Sequence, residues 1–470
     1  MFKSTDGGES WKVTGLTGVF AFSRIVVHPR DGNIIFASTI HNNAGFYRST
    51  DAGRTWERIL TEDITDITIN PVNPSELWVG GGGAGVMRSQ DGGRSFVPTA
   101  NGLVTGDSGI GRVSLQVAPS NPSILYALMC VHTYSLDGAE HITKICRTSN
   151  GGLTWQTLFL NSPNFLNNPG FPQGEYNNTL AIRPDDENVV VAGGVWPYRT
   201  TDGGASWTLI GSGVHPDYHA FVFDPTDPNR LYAGNDGGVY RSDQGGSSFL
   251  RKTSGLAITQ YYGMAIDQSV DDVTYGGTQD NGTVTTEAKT YDYSDPGFIY
   301  QSDGFQCIVD PLDPTVLYHE IFYGNILRTI IPSRQTSDLN GGLDLSEQAS
   351  WSAPLLIDPG DQRTLFTGRK RVYRMKPGDY WRAISDTVAG TMTAIGVSPL
   401  DSRVIYAGSS RATVRATTDG GDTWREAASG LPGRSVTDIV ASTRDTLTAW
   451  IAFSGFYNQH IDRTTDGGLT

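Results

Sequence analysis

The stretch Ser4-Thr5-Asp6-Gly7-Gly8-Glu9-Ser10-Trp11 decides the fold, because the same eight-residue pattern recurs up to residue 249 and again from residue 417 onward. We call this pattern, Ser/Thr-x-Asp-x-Gly-x-Ser/Thr-Trp/Phe, the glycine-turn motif. Further copies lie at Ser49–Trp56, Ser89–Phe96, Thr148–Trp155, Thr200–Trp207, Thr417–Trp424, the degenerate Ser242–Phe249 and the shortened Thr464–Thr470. Self-similarity of this kind is the signature of a repeat architecture built from small identical units.

The chemistry of the glycine-turn motif is that of a hairpin turn. Its Asp side chain can accept backbone N–H groups of the loop, and its glycines can adopt positive φ. Its hydroxyl groups can close the turn, and its aromatic residue opens the next strand facing inward. Asn150 and Gln244 replace the Asp in two copies. We therefore predict that these Asp residues shape turns and do not act as metal ligands or acids.

A second marker fills the gaps between the motif copies. An apolar strand ends in a short Pro/Asp turn, as in Val26-Val27-His28-Pro29 and Ile69-Asn70-Pro71. The same place is held by Pro119, Pro184, Pro225, Pro311, Pro359 and Pro399, and in degenerate units by Gln268 and Ser442. The mean spacing of these markers is about 46 residues, which gives ten units over residues 1–470.

Each unit has the pattern of four short strands. In the fifth unit they are predicted at Ala220–Phe223, at Leu231–Ala233, at Val239–Arg241 and from Phe249 onward. Four short antiparallel strands every ~40–50 residues are typical of one blade of a β-propeller. A series of β-sandwiches or a β-solenoid would not explain a unit of this size with two fixed turns. The sequence therefore predicts an all-β propeller of four-stranded antiparallel blades.

The motif and the period resemble those of the Asp-box (bacterial neuraminidase repeat) β-propeller superfamily. That group includes sialidases, xyloglucanase-type glycosidases, photosystem assembly factors and the sortilin receptors, so the fold alone leaves the function open. Ten units resemble the ten-bladed sortilin ring, in which residues 1–13 would complete the last blade. Xyloglucanases pair two seven-bladed rings, so the chain could equally be a fragment of such a pair. Arg24-Ile25-Val26 lacks the Pro of the sialidase Arg-Ile-Pro element.

Charge and composition limit the partners. Lys and Arg number 35 against 49 Asp and Glu, which gives a net charge of −14 and no basic run for phosphate groups. Nucleic acid and anionic membranes are therefore not expected as partners. No stretch reaches the ~18 apolar residues of a membrane helix, so no membrane insertion is expected. Cys130, Cys146 and Cys307 are predicted to be buried thiols, with a Cys130–Cys146 disulfide as the alternative.

The blade geometry predicts which face carries the function. In a four-stranded antiparallel blade the first and third turns share one face, and the second loop and the blade-to-blade connection share the other. The glycine-turn motif is the third turn, so ligands are expected on the opposite face. Polar residues converge there in the fifth, sixth and seventh units. They are Asp217, His219, Asn235, Asp236, Gln279, Asp280, Asn281, Asp303 and Glu320, with His215 and His319 beside them and Trp196 in the preceding unit.

Paired carboxylates at this face indicate glycoside hydrolysis, which needs one acid and one base or nucleophile. The xyloglucanase resemblance implies Asp236, because Leu231–Gly238 is similar to that family's Tyr-Ala strand and Thr-Asp-x-Gly-Gly loop, and Asp303, which precedes Ile308–Pro311. Amides and Tyr side chains nearby suit sugar hydroxyls. The alternative is that these Asx-Gly loops are ordinary hairpin turns.

Metal sites are less favoured by the spacing. His215 and His219 have the separation of a helical zinc pair, but Pro216 and the absence of a helical pattern argue against it. Calcium bound by Asp217 with Asp236 or Asp280 is a further alternative. No other cofactor is predicted.

Two further features lie on the same face. The Asn/Pro/Gly-rich insertion Asn161–Asn178 carries Phe165, Phe171 and Tyr176, which with Trp196 would form either a sugar-stacking platform or packing for the loop. The run Arg369–Arg371 is predicted to be a solvated loop.

Two functions follow. The first is a monomeric extracellular or periplasmic propeller that binds and hydrolyses a polysaccharide, although no signal peptide is visible in this chain. The second is a non-enzymatic propeller that binds a protein or peptide, as sortilin and the assembly factors do.

Overall fold

The chain is built from β-strands joined by turns and loops. The computed structural model describes residues 1–83, 85–99, 103, 109–135, 138–160, 173–270, 272–286, 298–427, 430–456 and 460–470. Within these ranges there is no helix, and so none long and apolar enough to cross a bilayer. The chain divides into two compact units, Met1–Thr253 and Ser254–Thr470.

The described part of the first unit contains a two-stranded sheet and five four-stranded sheets. The two-stranded sheet is formed by β1 (Phe2–Lys3) and β2 (Lys12–Val13). The others are β3–β6 (Phe22–Val27, Ile35–Thr39, Gly45–Ser49, Glu57–Leu60), β7–β10 (Asp66–Ile69, Leu77–Gly81, Gly85–Ser89, Val97–Pro98), β11–β14 (Ile110–Val117, Leu125–Ser135, Gly138–Thr148, Gln156–Leu160), β15–β18 (Thr179–Arg183, Asp186–Gly193, Pro197–Thr200, Thr208–Leu209) and β19–β22 (Tyr218–Phe223, Leu231–Asn235, Gly238–Ser242, Leu250–Arg251).

The second unit contains four four-stranded sheets and one three-stranded sheet within the described ranges. They are β23–β26 (Tyr261–Ile266, Thr274–Thr278, Gly282–Thr285, Phe298–Tyr300), β27–β30 (Gly304–Val309, Val316–Ile321, Asn325–Ile330, Gln335–Asp338), β31–β34 (Leu355–Ile357, Leu365–Gly368, Val372–Met375, Arg382–Ala383), β35–β38 (Met392–Val397, Ile405–Ser409, Val414–Thr417, Arg425–Glu426) and β39–β41 (Val436–Ala441, Ala449–Phe453, Ile461–Thr464).

Every four-stranded sheet is an antiparallel meander in chain order, as the four-strand pattern predicts. In both units first strands of successive sheets contact each other, as β15 contacts β19 and β23 contacts β27, whereas β35 contacts the second strand, β32, of the preceding sheet. The apolar core lies between neighbouring sheets, where Val191 of one sheet packs with Phe221 and Leu231 of the next. Meander sheets packed through their first strands are typical of propeller blades. The all-β fold of four-stranded antiparallel sheets is confirmed, and the ten-unit ring over residues 1–470 stays a prediction.

The glycine-turn motif forms the hairpin turn predicted for it. The backbone N–H of Thr55 donates to Asp51 Oδ1 at 2.9 Å, and the Thr55 hydroxyl donates to Oδ2 at 2.6 Å. These bonds lower the pKa of Asp51 to about 2. Gly53 has φ 88°, and its N–H donates to Ser49 Oγ at 2.9 Å. Asn150 accepts the equivalent N–H of its own copy at 2.9 Å, which explains why Asn can replace Asp there.

The cysteines confirm the buried-thiol interpretation. Cys130, Cys146 and Cys307 are all buried and form no disulfide with one another. Burial raises the pKa of Cys307 to about 12, so this thiol stays protonated at physiological pH.

Candidate functional site

The face opposite the glycine-turn motifs brings Asp217 and Asp236 together in the first unit. Asp236 and Gly237 form a two-residue loop between β20 and β21, where Asn235 pairs with Gly238. Asp217 directly precedes β19 and has φ 63°. The backbone N–H of Asp236 donates to Asp217 O at 3.3 Å. The predicted meeting of a second loop with the segment leading into its blade is therefore observed.

Both carboxylate oxygens of Asp236 have side-chain partners. His219 Nε2 lies 2.6 Å from Oδ1, and the Tyr176 hydroxyl donates to Oδ2 at 3.1 Å. The Tyr176 ring meets the His219 ring edge-on, with centroids 4.7 Å apart. The Asp236 side chain is only 9% exposed, whereas that of His219 is 33% exposed. The two rings therefore fix the orientation of a carboxylate at the edge of solvent.

Asp217 has a different environment from Asp236. Asn177 Nδ2 donates to Asp217 Oδ1 at 2.6 Å. Burial, and secondly the nearby Asp236 carboxylate, raise the pKa of Asp217 to about 6. The nearby His215 and His219 and the Asn177 hydrogen bond act in the opposite direction but are weaker. Adjacent carboxyl groups in unlike environments are the usual basis for dividing acid and base roles.

The end of the predicted insertion supplies two of these contacts. The Arg112 guanidinium, from β11, donates to the carbonyl of Tyr176 and to that of Glu175, the latter at 3.3 Å. The Arg112 backbone N–H also donates to the Glu175 carboxylate at 3.1 Å. This anchoring places Tyr176 and Asn177 against the two Asp residues. Phe165 and Phe171 lie outside the described residues.

Two further predicted residues of the first unit, Asn235 and Trp196, have different environments. Asn235 is buried, and its amide donates to His215 O at 2.6 Å while its carbonyl accepts from Gly237 N at 3.0 Å. Asn235 therefore shapes the loop, and its ligand-binding role stays a prediction. Trp196 is exposed in the loop between β16 and β17, whose Val195 carbonyl accepts the Asp217 N–H at 3.0 Å.

In the second unit Asp303 meets the loop that contains Asp280. The backbone N–H of Asp280, which has φ 60°, donates to Asp303 Oδ1 at 2.8 Å. The Tyr262 hydroxyl donates to Gln279 Oε1 at 3.3 Å. Asn281 folds back so that its N–H donates to Gln279 O at 2.7 Å. Gln279, Asp280, Asn281 and Asp303 thus form one compact loop cluster.

Glu320 and His319 belong to the interior of the second unit. The Glu320 side chain is fully buried, and its Oε1 accepts the backbone N–H groups of Ala353 at 2.6 Å and Gly324 at 3.2 Å. Burial raises the pKa of Glu320 well above its usual range. His319 lies between Thr329 and Thr283, at 2.9 and 3.2 Å, and burial lowers its pKa to about 4. The ligand-binding role predicted for Glu320 is wrong, because β28 is buried on both faces.

Arg369 also differs from its sequence interpretation. It was predicted to be solvated, but it is buried and donates from Nη1 to Tyr323 O at 2.9 Å and from Nη2 to Glu347 O at 2.8 Å. Arg371 pairs with Glu347 Oε1 at 3.2 Å. The solvated-loop prediction for this run is therefore wrong for Arg369, since carbonyl groups distant in sequence satisfy its guanidinium.

Sequence reasoning missed an aromatic cluster in the second unit. Phe322 and Tyr323 lie in the loop between β28 and β29, and Trp351 lies in the segment leading into β31. All three rings are exposed. Both positions are on the face that the blade geometry selects, so the same rule could have found them.

Metal binding has no cluster to support it in the described ranges, where no group of three or more His, Cys, Asp or Glu side chains could hold an ion. His215 Nδ1 lies instead 3.0 Å from Pro216 O. Asp236 belongs to the first unit and Asp303 to the second, so their pairing stays a prediction.

Two xyloglucanases are similar to this chain in sequence. No protein-family model matches the chain. The probable oligoxyloglucan-reducing end-specific xyloglucanase of Neosartorya fischeri is 23% identical over 184 residues, which are 36% of this chain and 20% of that protein. A xyloglucanase of Paenibacillus sp is 24% identical over 282 residues, which are 53% of this chain and 23% of that protein. The chain thus matches these curated relatives over about a fifth of their length.

Solved structures show the fold. The GH74 enzyme of Niastella koreensis superposes with a TM-score of 0.58 at 15% identity, over 95% of this chain and 68% of that chain. An ancestral GH74 enzyme gives 0.52 at 15% identity, over 100% and 80%. Both are β-propellers, and the likeness shows a propeller fold for this chain.

Proposed function

We propose that this chain binds a polysaccharide and hydrolyses its glycosidic bonds, as a glycoside hydrolase-like β-propeller. The observation that carries the proposal is the Asp236 carboxylate, which His219 and Tyr176 hold in one orientation beside Asp217. Xyloglucan is the first substrate to consider, because both curated relatives are named as xyloglucanases.

Hydrolysis needs a carboxyl group that delivers a proton to the leaving oxygen and a carboxylate that assists attack on the sugar. Asp236 is the candidate for the second role, since a fixed orientation is what a base or nucleophile requires. Asp217 can supply the proton, because its pKa of about 6 keeps a fraction of it protonated at mildly acidic pH. Asp303 is the alternative acid, which the xyloglucanase resemblance favours.

Other groups on this face suit sugar hydroxyls and sugar rings. His219 and Tyr176 are partly exposed beside Asp236, and Trp196 presents an exposed side chain in the neighbouring loop. Gln279, Asp280 and Asn281 offer the same chemistry in the second unit. Because polysaccharides of this class lie outside cells, we propose an extracellular or periplasmic location for the protein. We further propose that it acts as a monomer and does not bind nucleic acid.

The test is release of reducing ends from xyloglucan and from unbranched β-glucans by the full chain. Asp236→Asn is expected to lower the rate at least about 100-fold, the contribution of a positioned acid or base, while polysaccharide binding persists. Asp51→Asn is the matched control, since Asn150 shows that the motif accepts Asn. Activity that is unchanged in Asp236→Asn contradicts the proposal. Peptide binding without any hydrolysis would favour the sortilin-like alternative.

A further inference from the structure

Three exposed aromatic rings form one surface in the second unit. Phe322 and Trp351 stack with their ring planes 15° apart and their centroids 5.9 Å apart. The Tyr323 ring stands edge-on to Trp351 at 5.0 Å. We call Phe322, Tyr323 and Trp351 the aromatic platform. Trp351 is 42% exposed despite these two ring contacts.

The platform rests on a buried ring that connects it to the Asp303 loop. Phe305 is fully buried, and the Trp351 ring packs edge-on against it at 5.6 Å. Phe305 lies in β27, which begins directly after Asp303. The Tyr262 ring also packs against Phe305, with ring centroids 4.7 Å apart, and the Tyr262 hydroxyl donates to Gln279 Oε1. The platform therefore adjoins the loop cluster of Gln279, Asp280, Asn281 and Asp303.

Two buried polar side chains hold the backbone of the platform. Glu320, 0% exposed, accepts the N–H groups of Gly324 and Ala353, one from each loop that carries the rings. Arg369, 5% exposed, donates to Tyr323 O at 2.9 Å. A direct bond from Tyr323 N–H to Trp351 O at 3.0 Å joins the two loops. Burial of such groups is unfavourable unless they are hydrogen-bonded, so their placement fixes these loops strongly.

The backbone of Tyr323 shows how closely the turn is constrained. Its φ is 61°, a left-handed conformation that an aromatic residue rarely adopts. Strained residues persist only where the surroundings over-determine them, and they cluster at ligand-binding sites. A rigid surface with three exposed rings is suited to bind a ligand. Covering the rings removes apolar area from water, and the loops are already ordered, so binding does not carry the entropic cost of ordering them.

The chemistry of the platform selects a neutral ligand with an apolar face. Its exposed groups are aromatic rings, while Glu320 Oε1 and the Arg369 guanidinium beside it bond backbone groups. The C–H face of a pyranose ring matches such a surface. Cations are also attracted to ring faces, so a quaternary ammonium ion is the competing probe.

We propose that the aromatic platform stacks against the pyranose rings of a neutral polysaccharide, and that Glu320 and Arg369 are positioning residues that hold it in place. The ligand class rests on the proposed function. The platform is an addition to it, since no aromatic residue of this unit was assigned a role by the sequence.

The first experiment is calorimetric titration of the full chain with xyloglucan oligosaccharides and with choline. Trp351→Ala is expected to weaken oligosaccharide binding about tenfold, as truncation of a central aromatic contact does. Trp450→Ala is the matched control, since Trp450 is 40% exposed in the same unit and outside the platform, and its affinity should be unchanged. Equal affinity of Trp351→Ala and the wild type overturns the proposal, as does binding of choline in place of the sugar.

The second experiment separates positioning from general stability. Glu320→Gln retains an oxygen acceptor for both N–H groups, and the raised pKa of Glu320 makes the neutral amide a close mimic. We expect Glu320→Gln to bind within about twofold of the wild type and Glu320→Ala to bind about tenfold more weakly, measured well below the melting temperature of each variant. A purely structural role would lower the melting temperature of Glu320→Ala and leave its affinity unchanged, which would remove Glu320 from the proposal.

Failure of the platform and failure of the proposed function give different results. If hydrolysis depends on Asp236 but Trp351→Ala binds normally, only the platform is wrong. If Trp351→Ala loses binding while Asp236→Asn hydrolyses normally, only the catalytic proposal is wrong. A wild-type chain that binds no oligosaccharide overturns both.

Discussion

His219 Nε2 lies 2.6 Å from Asp236 Oδ1, so a ring on a strand orients a carboxylate in a loop of the same sheet. The two residues are brought together by strand register, because Tyr218 pairs with Asn235 at the ends of β19 and β20. Tyr176 holds the other oxygen of the same carboxylate. Asp236 is therefore more constrained than a turn residue needs to be, and the surrounding residues give the means to test its role.

Removing one hydrogen bond to Asp236 should slow hydrolysis without abolishing binding. Tyr176→Phe deletes only the hydroxyl that donates to Oδ2. A hydrogen bond to a charged group contributes about 1.5–3 kcal/mol, so kcat should fall about ten- to hundredfold. KM should be unchanged if the bond acts on the reacting carboxylate alone. Tyr232→Phe, at an exposed position of β20, is the control, and an equal loss there would contradict the assignment.

The pKa of Asp217 predicts a specific dependence of stability on pH. Burial raises this pKa from 3.8 to about 6, so the folded state holds the proton more tightly than the unfolded chain. The resulting stability is present below about pH 4 and is lost as the pH rises through about 6. Asp217→Asn cannot ionise, so it should melt at a higher temperature than the wild type at pH 7.5 and at a similar temperature at pH 4. Melting curves at pH 4, 5, 6 and 7.5 measure the difference.

Asp51→Asn is the control for this titration. Hydrogen bonds from Thr55 lower the pKa of Asp51 to about 2, so its contribution is lost only as the pH falls through the range from 3.8 to about 2. The melting difference for Asp51→Asn should therefore stay constant between pH 5 and 7.5. A constant difference for Asp217→Asn over the same range would show that the raised pKa of Asp217 is wrong.

Two glycines at the same position of the glycine-turn motif should differ in their tolerance of a methyl group. Gly53 has φ 88° and would place a Cβ no closer than 3.6 Å to its surroundings. Gly421 has φ 98°, and its Cβ would lie 2.8 Å from the backbone oxygen of Ile384. Gly53→Ala should cost about 1 kcal/mol of backbone strain. Gly421→Ala should cost about 1–3 kcal/mol more, because backbone must move. Denaturant unfolding of the two variants measures this, and equal losses would contradict it.

The sequence predicts those features whose bonds are local. Asp51 and Thr55 are four residues apart, so the turn follows from the motif itself. The approach of Asp217 and Asp236 follows almost as directly, because blade topology fixes which loops share a face. The glycine turn and the approach of these two Asp residues can therefore be predicted from the sequence without knowing how distant segments pack.

The features that sequence reasoning missed depend on distant contacts. Asn177 reaches Asp217 only because Arg112 anchors the end of the insertion to another sheet. The sequence around Arg369 is typical of a solvated charge. Its guanidinium is nevertheless buried, where it donates to the carbonyl of Tyr323, a residue distant in sequence. Glu320 was predicted to bind a ligand because it lies near the end of a strand at the selected face, while its side chain in β28 is interior. No local pattern distinguishes these cases.

Asp303 gives the sharpest test of the second carboxylate, because its two roles can be separated. Asp303 Oδ1 accepts the backbone N–H of Asp280 at 2.8 Å and so holds the loop cluster in shape. Asp303→Asn keeps an oxygen acceptor for that N–H and removes only the acid chemistry, whereas Asp303→Ala removes both.

If Asp303 is the acid of hydrolysis, Asp303→Asn should lose at least about 100-fold in kcat and keep its affinity for oligosaccharide. If Asp303 only supports the loop, Asp303→Asn should behave as the wild type, and Asp217 becomes the acid. Reducing-end release and calorimetric titration of both variants, with Asp217→Asn measured beside them, decide which carboxyl group acts with Asp236.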